Sequence, residues 1–165
     1  MKLKSSMWLK KAGSLLIIGS ILLLALTGCS KSSSGNVIKI NNLVTASSVT
    51  ITNGQTDWRN YTQQKTFASA YNGELWVVFN FSNALHDKVV NIKGNIYIVQ
   101  NGVLKDEQSK DVSLTDSSDN TLYWGGIFDI SQYADGDYTV IVTITDLISG
   151  TSASIMNTFK VGGSS

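Results

Sequence analysis

The chain contains no proline, one cysteine and one histidine among its 165 residues, and each shortage limits its chemistry. The single cysteine, Cys29, allows no intrachain disulfide, no thiol redox pair and no cysteine-based zinc site, so packing has to stabilise the fold. The single histidine, His86, leaves no histidine cluster for a metal centre. Without proline, the edges of any β-sheet also lack one of the residues that prevent further strand pairing.

Positive charge is scarce outside the N-terminal segment. The whole chain has 13 Lys and Arg against 12 Asp and Glu, a net charge of +1. Four of the lysines and none of the acids lie in residues 1–28, so residues 29–165 carry 9 minus 12, or −3. A mildly acidic chain without a basic cluster is not expected to bind nucleic acid.

The N-terminal segment has the order of an export signal. Lysines without acids occupy residues 1–11, an almost wholly apolar run covers residues 12–26, and small residues lead to Cys29. The uninterrupted apolar run is shorter than the ~20 residues that a membrane-spanning helix needs. Residues 30–36 are small and polar, which is typical of a flexible tether, and seven residues span at most roughly 25 Å.

Leu26-Thr27-Gly28-Cys29 resembles the lipobox of bacterial lipoproteins. The resemblance implies that the thiol of Cys29 receives diacylglycerol, that residues 1–28 are cleaved, and that Cys29 becomes the acylated first residue. It implies a membrane anchor on the extracytoplasmic side of the cell envelope. Ser30 stands where an aspartate is associated with retention at the inner membrane, so the outer membrane is expected if the organism has one.

From residue 37 onward, apolar residues alternate with period two, and no long stretch has the period of a helix. The clearest inward row is Tyr138, Val140, Val142 and Ile144. Further rows are Leu75, Val77, Phe79 and Phe81; Ile92, Ile96 and Ile98; Leu122, Trp124, Phe128 and Ile130; and Ile155, Phe159 and Val161. Residues 29–36 are assigned to the lipidated cysteine and its tether, and residues 37–165 are therefore predicted to form one all-β domain.

Turn dipeptides separate these rows. Asn101-Gly102 predicts a tight hairpin, because both residues tolerate positive φ. Gly125-Gly126 lies inside a strand-like run and suggests a β-bulge. About seven to nine short strands with such turns predict a two-sheet, mainly antiparallel β-sandwich.

The segment Asp135-Gly136-Asp137-Tyr138-Thr139-Val140, with the hairpin that follows it, resembles the end of bacterial immunoglobulin-like domains. The resemblance implies a tyrosine corner, in which the Tyr138 phenol bonds to nearby backbone. It also implies an immunoglobulin-like scaffold, which serves adhesion, carbohydrate binding, enzyme accessory roles or assembly.

Catalytic and metal-binding patterns are weak. His86 is interpreted as an exposed loop histidine, because residues 83–88 follow a strand and are typical of a solvated connection. No Gly-x-Ser-x-Gly motif supplies a nucleophile for it. The two glutamates, Glu74 and Glu107, leave a glycosidase unsupported. Asp135 and Asp137 are the nearest approach to calcium ligands, but aspartate near turns more often bonds its own backbone. No catalytic residue, metal or cofactor is therefore expected.

Aromatic residues are concentrated in the otherwise polar segment 53–73 and just after it. The candidate ligand-binding residues are Trp58, Tyr61, Tyr71 and Trp76. Exposed, they would stack on sugar rings or anchor a protein. Alternatively, the segment is an edge strand or a loop across an open end of the sandwich, with Trp58 and Phe67 in the core. Trp76 and Tyr123, which lie opposite the inward rows, are then either surface residues or covered by that segment.

The function expected from the sequence is a lipid-anchored, non-catalytic binding or structural module whose partner is an envelope protein or a glycan. A carbohydrate-binding or adhesion module is the first alternative, and an envelope hydrolase or its accessory domain is the second. Strand exchange with a partner also remains open, because proline does not protect the sheet edges.

Overall fold

The computed structural model describes residues 37–163. The export signal, the acylated Cys29 and the tether lie outside these residues and stay predictions. The described residues form the following strands: β1 (Lys39–Thr52), β2 (Gln55–Gln63), β3 (Thr66–Phe67), β4 (Glu74–Ser82), β5 (Leu85–His86), β6 (Val89–Gln100), β7 (Val103–Leu114), β8 (Thr121–Asp129), β9 (Gly136–Asp146) and β10 (Ser152–Val161). Within residues 37–163, no helix has the length and apolar character needed to cross a membrane.

The strands form two sheets. The first has the order β2-β1-β4-β8, and the second has the order β3-β10-β9-β6, with β7 and the short β5 also paired to β6. Every pairing is antiparallel except that of β3 with β10. The predicted all-β, mainly antiparallel β-sandwich is confirmed, and β3 and β5 are two-residue strands beyond the predicted seven to nine.

Two ends of the sandwich are useful for orientation. At the lower end, β1 begins beside the last residue of β4, with Lys39 opposite Ser82, and β9 ends at Asp146 opposite Ile92 of β6. At the upper end, β4 begins at Glu74 and β8 ends opposite it at Asp129. The short link from β4 to β5 joins the two sheets at the lower end.

Apolar side chains from the inward rows fill the space between the sheets. The predicted rows on β4, β6 and β9 are fully buried, because alternate residues of a strand point to the same face. Gly94 lies in the β6 row between Ile92 and Ile96, and the ring of Trp124 from β8 occupies the space that a side chain at Gly94 would fill. Trp124 also meets Phe79 edge to face, with the ring centroids 5.6 Å apart.

Two local predictions have opposite outcomes. Asn101 and Gly102 form the β6–β7 turn with φ of 51° and 76°, as predicted. The bulge suggested at Gly125-Gly126 is wrong, because β8 pairs with β4 without a register shift from Asp129 to Thr121. These glycines instead admit close neighbours. A Cβ on Gly125 would meet the carbonyl oxygen of Val77 and, at 2.5 Å, the Trp58 ring. A Cβ on Gly126 would lie 2.5 Å from Oε1 of Gln108 and 2.7 Å from Ile96.

Aromatic rings close the upper end of the core. Tyr133 stacks on Tyr138 and Tyr138 on Phe159, with centroid distances of 5.0 and 5.2 Å. The Tyr138 hydroxyl donates a 2.6 Å hydrogen bond to the carbonyl oxygen of Ala134, so the expected bond from the Tyr138 phenol to nearby backbone is present. The Tyr133 hydroxyl is buried without a partner among the described residues, and burial raises the pKa of Tyr133 far above its usual range.

The two stacked tyrosines should respond oppositely to loss of the hydroxyl. Tyr138→Phe removes a hydrogen bond and should lower the free energy of unfolding by about 0.5–1.5 kcal/mol. Tyr133→Phe removes a buried hydroxyl without a partner, so it should leave the free energy unchanged or raise it. Urea unfolding of both variants measures the difference. Equal losses in the two variants would contradict this account.

Candidate functional site

Trp58, Tyr61 and Trp76 come together on the outer face of the first sheet. β1 pairs Val49 with Tyr61 but Thr50 with Asp57, so residues 58–60 of β2 have no partner in β1. This interruption lets Trp58 lie over the sheet. Its ring rests on Gly125 of β8 and lies 5.8 Å from the ring of Trp76, with an angle of 58° between the planes. We call Trp58, Tyr61, Trp76 and the neighbouring Tyr123 the aromatic face.

The aromatic face is partly a second core. Trp76 is only 6% exposed, and it packs in a cluster with Val44, Ala46, Val49 and Val78. Trp58 and Tyr61 cover this cluster and stay partly accessible. The segment 53–73 thus covers Trp76, whereas Tyr123 is a surface residue.

A cation lies next to the exposed ring. The guanidinium carbon of Arg59 is 5.4 Å from the centroid of Tyr123, within the range of a cation–π contact. Arg59 also lies 3.6 Å from the carboxylate of Asp119, but both side chains are mostly exposed. Such an ion pair contributes little to stability, so Arg59 and Asp119 remain accessible to a ligand.

Tyr71 is not part of the aromatic face. It lies at the upper end of the sandwich and meets Phe67 edge to face, at 5.2 Å between centroids. Phe67 is fully buried and belongs to the main core, as one of the two interpretations of this segment required. The structure therefore brings three of the four candidate residues together and places Tyr71 apart from them.

A groove between the two sheets was not predicted from the sequence. Its volume is about 240 Å³, and it opens beside β8, one of the two edge strands of the first sheet. We call it the Trp124 groove, and its lining residues are Gly94, Ile96, Gln108, Ser109, Lys110, Trp124 and Gly125. One feature of the sequence could have indicated it. Gly94 interrupts the inward row of isoleucines on β6, and a glycine at such a position leaves space in the core for a large side chain, here that of Trp124.

Gly125 connects the groove to the aromatic face. It lines the Trp124 groove, and the Trp58 ring lies against it. Gln108 of β7 donates a short hydrogen bond through its side-chain amide to the carbonyl of Ile127, which ties β7 to the edge of β8. Two indole rings thus lie on opposite faces of the edge strand β8: the ring of Trp124 packs on Gly94, and the ring of Trp58 packs on Gly125.

His86 is not the exposed loop residue that the sequence suggested. It lies in β5, its side chain is 28% exposed, and its Nε2 is 2.5 Å from Oδ2 of the fully buried Asp146. The β5 strand lies at the lower end, where pairing of Leu85 with Val90 places His86 near the end of β9. The error arose because the partner is sixty residues away in the chain.

Asp146 is the centre of a hydrogen-bond network. Its Oδ2 also accepts from the Ser149 hydroxyl at 2.6 Å, and its Oδ1 accepts from the backbone N–H of Ile148 at 2.9 Å. Burial acts to raise the pKa of Asp146, but the hydrogen bonds from Ser149, His86 and the backbone outweigh burial, and the pKa is lowered.

This order differs from that of a hydrolytic triad. In a triad the histidine lies between the nucleophile and the acid, so that it can take the nucleophile's proton. Here Oδ2 of Asp146 lies between Ser149 and His86 and contacts both. The serine hydroxyl donates to the carboxylate, so its lone pairs are not activated by the imidazole. The network is suited to fixing the turn after β9.

Among the acids of residues 37–163, Glu74 and Asp129 lie directly opposite each other on β4 and β8, whereas Glu107 is opposite Tyr97. The backbone and side chain of Ser131 hydrogen-bond Asp129 and lower its pKa, whereas a general acid needs a raised pKa.

No group of three or more His, Cys, Asp or Glu within residues 37–163 is arranged to hold a metal ion. One of the two aspartates nearest to a calcium site, Asp135, accepts a hydrogen bond from the Ser69 hydroxyl at 2.8 Å.

Acid should weaken the lower end through Asp146. Its pKa is lowered in the folded state, so its contribution to stability is present above its usual pKa and is lost as the pH falls through the folded value. Asp146→Asn should cost about 1–3 kcal/mol at neutral pH. It should also flatten the fall in stability that begins below about pH 5 and continues as the pH falls through the lowered pKa of Asp146. Urea unfolding across this range tests both effects, with exposed Asp137→Asn as the control. An unchanged pH profile in Asp146→Asn would exclude this role.

Comparison with known proteins adds a distant structural neighbour. No family model matches the chain, and no curated protein matches it. A solved structure of β-glucosidase from Listeria innocua in complex with glucose matches 76% of this chain at 14% identity, with a TM-score of 0.40. The match covers 16% of the glucosidase chain. The chain is thus similar, at this low level, to a small part of a larger enzyme, and the similarity assigns no family or activity to it.

Proposed function

We propose that this chain is a lipid-anchored binding module of the bacterial cell envelope, without catalytic activity of its own. Its ligand surface is the edge of β8, where the Trp124 groove and the aromatic face meet. The observation that carries the proposal is the pair of partly accessible indoles, Trp58 and Trp124, each held against a glycine beside this edge.

Fixed indoles suit recognition because binding does not have to order them. Trp58 is held between Gly125 and Trp76, and Trp124 is held between Gly94 and Phe79. A side chain that is already immobilised loses little conformational entropy when a ligand arrives. Aromatic residues in such settings often supply a large part of the binding energy of a protein surface.

The ligand class that these side chains favour is a glycan, and a protein partner is the second candidate. Indole faces stack on the apolar faces of sugar rings, while amide, hydroxyl and ammonium groups bond the sugar hydroxyls. Gln108 and Lys110, which pair with the inward-row residues Ile96 and Gly94, supply an amide and an ammonium group at the groove, and Arg59 supplies another donor near Tyr123. The mixture of one aromatic wall and several polar groups is typical of small-ligand sites.

The non-catalytic part of the proposal is supported by the lower end. Asp146 is engaged by His86, Ser149 and the backbone, in an order unlike that of a hydrolytic triad. Asp129 has a lowered pKa, which is unsuited to protonating a leaving group. The acids and His86 act here as structural groups.

Binding should depend on the indoles and on Lys110. The detergent-solubilised protein would be applied to an array of bacterial glycans and to envelope fractions, with Trp58→Ala, Trp124→Phe and Lys110→Ala in parallel. Each substitution should weaken binding by up to about 2 kcal/mol, roughly 30-fold, if its side chain contributes a hot spot. Lys93→Ala, an exposed lysine on the adjacent strand β6, is the charge-matched control.

Folding has to be checked in the same preparations, by circular dichroism and urea unfolding. Tyr71→Ala serves as an aromatic control, because Tyr71 lies away from the β8 edge. Binding that survives all three substitutions while Tyr71→Ala abolishes it would move the site to the upper end. Loss of binding with Lys93→Ala alone would favour the face of the second sheet.

Acylation and cleavage should both depend on Cys29. Cys29→Ser removes the thiol that would receive diacylglycerol, so the variant should carry no lipid and should keep residues 1–28, whose apolar run can itself hold it in the membrane. Mass spectrometry of the N-terminal peptide measures both effects. An unmodified Cys29 in the unsubstituted protein, or cleavage before residue 29 in the serine variant, would contradict the lipoprotein assignment, and Ser30→Ala controls for a change beside the cleavage site.

A further inference from the structure

The turn between β9 and β10 carries two aliphatic residues where turns usually carry polar ones. Leu147 and Ile148 are each 47% exposed, in a sequence position that favours Gly, Asn, Asp or Ser. The rest of the turn, Ser149-Gly150, has the usual chemistry. The two aliphatic side chains are therefore a feature that solubility and turn geometry do not explain.

The turn is rigid because the buried Asp146 holds it from below. The carboxylate accepts from the N–H of Ile148 and from the Ser149 hydroxyl, and His86 holds the same carboxylate from β5. A backbone bond of 2.8 Å from Gly150 to the Asp146 carbonyl closes the turn, and another joins Leu147 to Asn91 of β6. These bonds fix the exposed pair at the lower end of the sandwich.

Further exposed apolar residues lie at the same end. Leu114, 40% exposed, is the last residue of β7 and pairs with Val90 of β6. Since Leu147 bonds the residue after Val90 on the other side of β6, two strand spacings, about 10 Å, separate Leu114 from the turn. Val37 is 51% exposed, and its carbonyl accepts from the side chain of Asn83, just after β4. We call Val37, Leu114, Leu147 and Ile148 the apolar end.

The chain enters the domain at the apolar end. β1 begins at Lys39 beside the last residue of β4, and Val37 is two residues before it. Cys29 is eight residues before Val37, which a fully extended chain covers in at most about 28 Å. An acylated Cys29 would therefore keep this end of the domain near the bilayer surface.

We propose that the apolar end docks on the lipid bilayer, with Leu147 and Ile148 inserted at the headgroup boundary. The inference rests on the proposed lipid anchor at Cys29 and adds an orientation to it. Lipid anchoring raises the local concentration of the domain at the membrane, so that even a small apolar surface is sufficient for docking. The edge of β8 runs from the lower to the upper end and is left accessible to ligands.

A fluorescence experiment on the full-length lipoprotein tests the orientation. An acylated Cys29 has no free thiol, so one added cysteine gives a unique site for an environment-sensitive fluorophore. The labelled protein is reconstituted in vesicles of phosphatidylethanolamine and phosphatidylglycerol, with and without lipids that carry a nitroxide quencher. Ile148→Cys places the probe on the turn, and Ala134→Cys places it in an exposed loop at the upper end.

The probe at residue 148 should have blue-shifted emission and several-fold stronger quenching than the probe at residue 134. Adding Leu147→Asp to Ile148→Cys should reduce that quenching, because a carboxylate opposes insertion into an apolar layer. Leu147→Ala in the same background is the matched control, and it should reduce quenching less. Circular dichroism verifies the fold of each variant.

Three outcomes would overturn the inference. Equal quenching at both positions would show that the domain has no preferred orientation. Blue-shifted emission at residue 148 without quenching by the nitroxide lipid would show that a protein surface or a second copy covers the turn. Protein that fails to float with the vesicles would refute the lipid anchor itself, and thereby the proposed function as well; flotation without quenching refutes only the docking.

Discussion

β4 is buried on both of its faces, and the packing of β2 and of the aromatic face over the first sheet depends on this burial. Residues 75–79 are apolar without interruption and all are buried. The second sheet covers one face, as in any sandwich, but a two-sheet sandwich has nothing to cover the other. The hairpin of β1 and β2 supplies this second cover: β2 breaks its pairing at residues 58–60, and Trp58 crosses the sheet as far as Gly125. The aromatic face exists because Trp76 and Val78 have to be removed from water.

The sequence patterns correctly predicted the parts of this structure that depend on a few adjacent residues. Alternation identified the inward rows, and Asn101-Gly102 identified its turn, because strand period and positive φ are properties of a few adjacent residues. The β2 interruption could not be found in this way, since it depends on an apolar surface supplied by β4. Gly125 was misinterpreted for the same reason: a Cβ there would meet the carbonyl oxygen of Val77 on β4 and the ring of Trp58 on β2, and both residues lie on other strands.

The candidate site likewise has features that the local sequence indicates and features that depend on long-range packing. The concentration of aromatic residues in segment 53–73 was visible, yet whether Trp58, Tyr61 and Tyr71 share a surface depends on long-range packing. The Trp124 groove arises from the meeting of Gly94 and Trp124, thirty residues apart in the chain. Asp146 left a clearer signal, because it continues the inward row of Tyr138, Val140, Val142 and Ile144 with a charged residue. A carboxylate at a core position needs partners, and His86 and Ser149 are those partners.

The cover of the aromatic face is held less firmly than the sandwich beneath it. β2 pairs with β1 alone, none of its side chains is fully buried, and three of its residues have no partner in β1. Lifting β2 should therefore need less free energy than separating the sheets, and we expect its amide hydrogens to exchange faster than those of β4. Lifting β2 would remove Trp58 from Trp76, so the same strand that completes the aromatic face also conceals an apolar surface from water.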